Sequence, residues 1–299
     1  MYYNKPMKYF LAGNIKTNLS GLEKLIELAY LVPDDKLIDI DMANLKFLDA
    51  NLISVMAAIL FQKYWDGYIV KLSNIKSKIR DIFERNHFFP SDNETFNPQE
   101  TVMEFKVFSP DSVDDFIKYI NEQLLDKSQF PKMADSYKKQ IRSKIQELFA
   151  NAVEHGKAKH IYCCGQHFPK NGVMNFTIVN LGTTIKDNVN MYLNESLEAS
   201  KAIEWASKEG HSTAVSESNP TRGLGLSLLH DFIIKNNGEL SILSDNGFWG
   251  IKNKEQCVHQ VAKIFSGTII NIIVNVNDPK EYGNPIIRGL EEFFTKKST

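Results

Sequence analysis

Apolar residues recur along this chain in two rhythms, every second residue over short runs and every three to four residues over longer ones, which predicts strands alternating with helices. Leu22 to Leu31 is amphipathic with the helical period. The run LIDIDMANL, Leu37 to Leu45, alternates as a strand, and Asp49 to Trp65 then carries helix-spaced Leu52, Val55, Met56, Ile59 and Leu60. Asn51 stands just ahead of that apolar run and is predicted to cap the helix, because its short side chain can accept from the free N–H groups of a first turn. Asp66-Gly67 ends the helix. YIVKL (Tyr68 to Leu72) reads as a strand, and KSKIRDIFERNHFF returns to the helical period through Ile79, Ile82 and Phe83. These elements make a first α/β domain over residues 1–90.

A polar stretch without period, containing two prolines, follows, and residues 91–101 are assigned as a linker. The second domain, residues 102–277, opens on a strand at Val102 to Phe108. A helix from Ser112 to about Leu125 and a long helix from about Met133 to His155 come next, then strands at His160 to Gly165 and Val173 to Asn180. A glycine-marked helix lies beyond. In LSILSDNGFWGI, Asn246-Gly247 is predicted to make a tight hairpin turn, and the β-branched TIINIIVNV is the closing strand. The fold class is therefore α/β with two domains, the second an α/β sandwich on a mixed sheet, and residues 278–299 form a tail.

Composition adds boundaries. An apolar content of 43% across 299 residues marks a globular chain. The 35 Lys and Arg nearly cancel 36 Asp and Glu, so the net charge of −1 gives no argument for a nucleic-acid partner. Leu52 to Phe61, the longest strongly apolar stretch, falls short of the roughly 18 to 20 residues that span a bilayer. The start, MYYNKPMKYF, lacks the features of a secretory signal, and a cytoplasmic location without membrane contact is expected. Cys163, Cys164 and Cys257 have no zinc-type spacing and are read as reduced structural thiols.

Three segments carry candidate chemistry. In IQELFANAVEHG, Glu147 and Asn151 are four residues apart and share one helix face. In TIVNLGTTI, a β-branched strand runs into Asn180-Leu181-Gly182, a turn that brings an amide and bare backbone close to a flat ligand. In NPTRGLGLSLLHDFI, Gly223 and Gly225 precede a helix whose free N–H groups can hold phosphate oxygens. With Ser266-Gly267-Thr268 before the last strand, this order resembles the GHKL-type ATP-binding domain, the Bergerat-type fold shared by gyrases, histidine kinases and MutL, over roughly Thr101 to Asn277.

The resemblance implies ATP or ADP and Mg2+ as ligands. Asn151 would give its side-chain oxygen to magnesium, and Glu147 would orient or deprotonate the attacking water or hydroxyl, as phosphoryl transfer requires. Gly223, Leu224 and Gly225 would contact phosphates through the backbone, with Arg222 and Leu226 flanking them. Gly182 would admit the base, and Thr268 would sit beside Asn180 under it. The family's usual Asp is Asn180 here and its second glycine is Thr184; an amide can present either oxygen or nitrogen, so guanine is excluded less firmly than adenine is favoured. The stretch between Gly182 and Gly223 resembles the family's mobile lid, with Lys208, Arg222 and His211 in reach of phosphates.

The first domain resembles the STAS domain of anti-anti-sigma factors and anion transporters. Asp49 is followed by Ala50 and Asn51, so the phosphorylatable hydroxyl of the signalling members is missing. Together the two resemblances imply a regulatory ATP-binding protein of the anti-sigma-factor serine-kinase kind, with slow ATPase or serine/threonine kinase activity through Glu147. A regulatory protein partner, itself STAS-like or a second copy in a homodimer, and a nucleotide-gated contact between the halves are part of that picture. The alternative is a non-catalytic nucleotide-gated interaction module. A nucleic-acid clamp is disfavoured by the absence of a basic stripe.

Overall fold

The computed structural model describes residues 6–89, 101–208, 211 and 225–282, with the side chains of 225–228 left outside that description. The first half runs β1 (Met7–Phe10), β2 (Gly13–Ile15), α1 (Leu19–Ile26), β3 (Leu37–Asp41), β4 (Leu45–Leu48), α2 (Ile53–Trp65), β5 (Ile69–Ser73) and α3 (Ser77–Arg85). The second runs β6 (Val102–Phe108), α4 (Val113–Ile120), α5 (Asp135–Glu154), β7 (Ile161–Phe168) and β8 (Val173–Leu181). It continues through α6 (Ile185–Leu193), α7 (Ala199–Ala206), α8 (Gly225–Asn236), β9 (Glu239–Lys252) and β10 (Glu255–Asn275). The chain is α/β, and no described helix is long and apolar enough to cross a membrane. The linker assigned to residues 91–101 lies outside the described residues except for Thr101.

Parallel pairing between strands is confined to the first half, in a three-stranded sheet ordered β1-β3-β5 and a short β2-β4 pair, and one isolated parallel bridge joins Met133 to Tyr282. The second half carries a five-stranded sheet ordered β6-β7-β8-β10-β9. Every pair in it is antiparallel, not mixed as expected; tight turns between β7 and β8 and between β9 and β10 force the reversal in those two pairs. The β9–β10 turn is not at Asn246-Gly247 either. Those residues continue inside β9, and the reversal falls at Asn253 and Lys254, both left-handed at φ 53° and 67°. Gly247 is glycine for another reason: a Cβ there would lie 2.5 Å from the backbone of Ala199 and Ser200, so its bareness lets α7 lie against β9.

The two faces of this sheet are covered differently. Residues such as Phe176 and Ile178 of β8 and Ile270 and Ile272 of β10 point into one hydrophobic cluster with Phe116, Ile145, Phe149 and Phe232 of α4, α5 and α8. Their pleat neighbours Val179 and Ile269 point the other way, into a cluster with Leu22, Leu25, Val55, Met56 and Ile59 of the first half. The first half is thus packed on the sheet's second face, and its core is continuous with it.

Helix α2 explains how. Every residue from Ile53 to Leu60 is buried, and the helix touches β5 as well as β7 and β8. A helix apolar all round is one enclosed on all sides. Each of these larger side chains contributes about 1.5–3 kcal/mol through burial.

Polar groups fix the register of that contact. Asn51, fully buried in a short 3-10 turn (Ala50–Leu52), donates from Nδ2 to Thr177 Oγ1 at 2.8 Å and accepts from Thr17 Oγ1 at 3.0 Å. It is therefore a tie between the halves, not the predicted cap. Thr177 donates to Asn271 Oδ1 at 2.7 Å, and Asn271 to Ser241 Oγ at 3.2 Å, so the chain of bonds crosses β8, β10 and β9. Asp49 accepts from Thr17 N at 2.6 Å and Oγ1 at 2.9 Å; burial pushes its carboxyl above the usual range, against the pull of those two bonds.

The chain remains packed beyond Asn277, where a tail was expected. Tyr282 is buried, its amide donates to Lys132 O at 3.1 Å, and its ring meets Phe232 edge-on at 5.3 Å. Cys163 and Cys164 are buried free thiols pushed up in pKa by burial, in keeping with a structural role.

Candidate functional site

Helix α5 buries Tyr137, Ile141, Ile145, Leu148, Phe149 and Ala152 along one side, which leaves Glu147 and Asn151 at the edge of that stripe. Glu147 is half-buried and its Oε2 lies 3.1 Å from Lys144 Nζ, one turn back. Asn151 has an exposed side chain, and its carbonyl closes the helix by accepting from His155 N at 3.0 Å and Gly156 N at 2.9 Å. His155 is the C-cap, as expected of a residue ending this helix.

The turn at Gly156 joins α5 to the end of the sheet. Gly156 O accepts from Thr183 N at 2.8 Å, and Gly182, at φ 138°, sits so close that a Cβ would collide with the same carbonyl. Gly267 is equally tight, because a Cβ there would strike Asn180 O. Gly156 thus approaches the Asn180 side chain and Gly267 the Asn180 carbonyl, while Gly182 lies against Gly156.

Asn180 has the same pleat parity as Phe176 and Ile178, so it faces the helix side of the sheet. It is 5% exposed, and its Nδ2 is buried without a hydrogen-bond partner. Thr268 is its register partner on β10, and Ser244 is that of Thr268 on β9. The two hydroxyls are 3.1 Å apart, and Ser244 also donates to Gly267 O at 2.7 Å. Asn180, Thr268 and Ser244 therefore form one polar row across three strands. Ser244 was not foreseen: no local signal marks it, and only the pairing of β9 with β10 brings it in.

The expected residues divide as follows. Gly182, Asn180 and Thr268 come together, and Glu147 and Asn151 lie on the helix that leads into Gly156. Asn151 is about 7 Å and Glu147 about 13 Å from Gly156 by helix rise. Gly225 and Leu226 open α8, which packs against α5. Arg222, Gly223 and Leu224, the rest of the expected phosphate turn, lie outside the described residues. Thr184, where a second glycine was expected, caps α6 in a reciprocal box with Asp187, whose amide reaches Thr184 Oγ1 at 3.2 Å.

The expected lid is largely a packed insertion in its first half. Helices α6 and α7 lie together, and Ala199, Ser200, Ala202 and Ile203 are buried against β9 and β10. Lys208 is exposed. His211 is held by Trp205, with Nδ1 3.0 Å from its carbonyl and the rings 4.6 Å apart, so packing accounts for it without a phosphate.

A cavity of about 520 Å³ lies elsewhere, between Ser128–Lys132, His167, Pro169 and Val276–Glu281. It is at the opposite end of β8 from Asn180, about 23 Å away at the rise of a strand. Among the described residues no group of three or more His, Cys, Asp or Glu could hold a metal ion. No protein-family model and no curated protein sequence matches this chain.

Proposed function

We propose that this chain binds a purine nucleoside triphosphate with magnesium at the Asn180 end of the five-stranded sheet, as the GHKL-type resemblance implies, ATP being the nucleotide of that family. One observation carries the reading: the Asn180 amide, 5% exposed and with no partner for its Nδ2, lies in one polar row with Thr268 and Ser244 beside the closely packed Gly156 and Gly267. A buried donor without an acceptor is costly, and a ligand acceptor at this row would satisfy it. The exposed amide of Asn151 suits a magnesium ion that also meets phosphate oxygens, which needs few protein ligands.

Magnesium bound there would neutralise phosphate charge during transfer. Within the chain, Asn151 would hold the ion, the first turn of α8 would offer N–H groups to phosphate, and Glu147 would orient the nucleophile. The docked first half, STAS-like by resemblance, occupies the sheet's second face and supplies the regulatory contact. A protein partner would then be controlled by the nucleotide state of this one unit.

The second reading, a non-catalytic nucleotide-gated module, is favoured by the 3.1 Å ion pair that engages Glu147 with Lys144. The two are separated by calorimetric titration with ATP and GTP, with and without magnesium, followed by turnover measurements on Glu147→Ala. Binding with turnover lost in the variant supports an enzyme; binding without turnover in either supports the module; no binding of either nucleotide removes the proposal.

A further inference from the structure

The cavity at the far end of β8 is lined by four charged residues, and two of them are engaged. Asp278 accepts from Tyr282 Oη at 2.6 Å and from Lys280 N at 3.1 Å. Lys280 Nζ donates to Lys235 O at 2.8 Å and lies 3.7 Å from Asp278. The other two, Lys132 and Glu281, are exposed, and among the described residues neither side chain has a hydrogen bond or an ion pair.

These two free charges of opposite sign are neighbours. The isolated parallel bridge between Met133 and Tyr282 is closed by Tyr282 N donating to Lys132 O at 3.1 Å and Ala134 N to Tyr282 O at 2.8 Å. Side chains alternate along paired extended segments. Met133 and Tyr282 turn into the core, so Lys132 and Glu281, one residue before each, lie side by side on the opposite side of the bridge, toward the cavity.

His167 supplies a third polar group. It is 7% exposed, and its Nδ1 is buried without a partner. Burial, and after it the charge of Lys127, lowers the pKa of the ring, which is therefore neutral at neutral pH. A neutral imidazole carries one proton, and a buried N–H without an acceptor is rarer than a buried acceptor without a donor. The proton thus belongs on Nε2, the ring's other nitrogen and its one donor for the cavity. Phe130, Pro169 and Val276 add apolar wall, and about 520 Å³ lies in the range of small-molecule sites.

We infer that this cavity binds a free α-amino acid with an apolar side chain. Such a molecule carries a carboxylate and an ammonium on one carbon, the complement of Lys132 beside Glu281. The carboxylate accepts from Lys132 and His167 Nε2, the ammonium donates to Glu281, and the side chain lies against the apolar wall. A simple organic anion sets a carboxylate against Glu281, and a simple amine sets an ammonium against Lys132, so neither answers both charges.

The test follows the His167 ring-carbon NMR signal of the full chain, identified by its loss in His167→Gln. The chain is titrated without nucleotide with L-phenylalanine, L-leucine, phenylpropionate and phenethylamine. Both amino acids are expected to shift the signal saturably at about millimolar concentration, and the two analogues, each lacking one charge, to bind at least about tenfold more weakly. Lys132→Gln should weaken phenylalanine by a similar factor and leave phenethylamine unchanged; Glu281→Gln should weaken phenylalanine and leave phenylpropionate unchanged. Either analogue binding as tightly as phenylalanine overturns the inference, as does an amino-acid affinity that both variants retain. No saturable shift with either amino acid overturns it outright.

Discussion

Asn51→Ala tests whether the two halves are one cooperative structure. The substitution removes the 2.8 Å bond to Thr177 and the 3.0 Å bond from Thr17, at a residue with no exposed surface. Thr177 keeps Asn271 and Thr17 keeps Asp49, so neither hydroxyl is stranded. Two bonds at about 1 kcal/mol each, with the void left by a buried amide, put the cost at about 2–4 kcal/mol. The assay is urea unfolding of single-tryptophan variants, with Trp65, stacked on His160 at 4.7 Å, reporting on the first half and its junction and Trp249 on the second half. Both probes should show one coincident transition, shifted to lower urea with unchanged slope in Asn51→Ala. Two separate transitions, or a shift below about 0.5 kcal/mol, would refute the idea that this buried tie and the shared core join the halves.

Gly182→Ala should lose at least about 2 kcal/mol and any nucleotide binding, since φ is 138° and the new Cβ meets the Gly156 carbonyl; thermal melts and calorimetry check both. Tyr282→Ala should cost about 3–5 kcal/mol by thermal unfolding, because the ring packs on Phe232 and Tyr137. Asp49 has a folded-state pKa raised chiefly by burial, so the protonated form is favoured in the fold. Its stabilising contribution is full below its unfolded value of about 3.9 and is lost as pH rises through the folded value. As pH rises across that window the urea midpoint of the parent chain should fall relative to that of Asp49→Asn; an equal pH dependence in the two would contradict the assignment.

The elements were largely legible in the sequence, because periodicity reports which face of a helix or strand is apolar. The long apolar side of α5 and the β-branched run of β8 are cases. What periodicity does not report is which neighbour covers that face. The antiparallel order β8-β10-β9, the position of Ser244 beside Thr268, and the close approach of α7 to Gly247 all depend on pairing between distant segments. Asn51 was misread for the same reason: its local context is that of a cap, and its partner Thr177 is 126 residues away. The all-round apolarity of Leu52 to Phe61 was the available signal that α2 needed cover on more than one side. Thr184 shows the reverse case, since Thr184-x-x-Asp187 spells a capping box that could have been read directly.

The long reach of these contacts has a consequence during synthesis. At about 5–20 residues per second, some 6–25 s separate the emergence of Asn51 from that of Thr177, its partner 126 residues later. The two bonds between Tyr30 and the backbone of Ile264, 234 residues apart, wait roughly 12–47 s. For that interval the apolar side of α2 that β7 and β8 will cover has nothing to pack against, so the nascent first half is a natural client for a ribosome-associated chaperone until the antiparallel strands arrive.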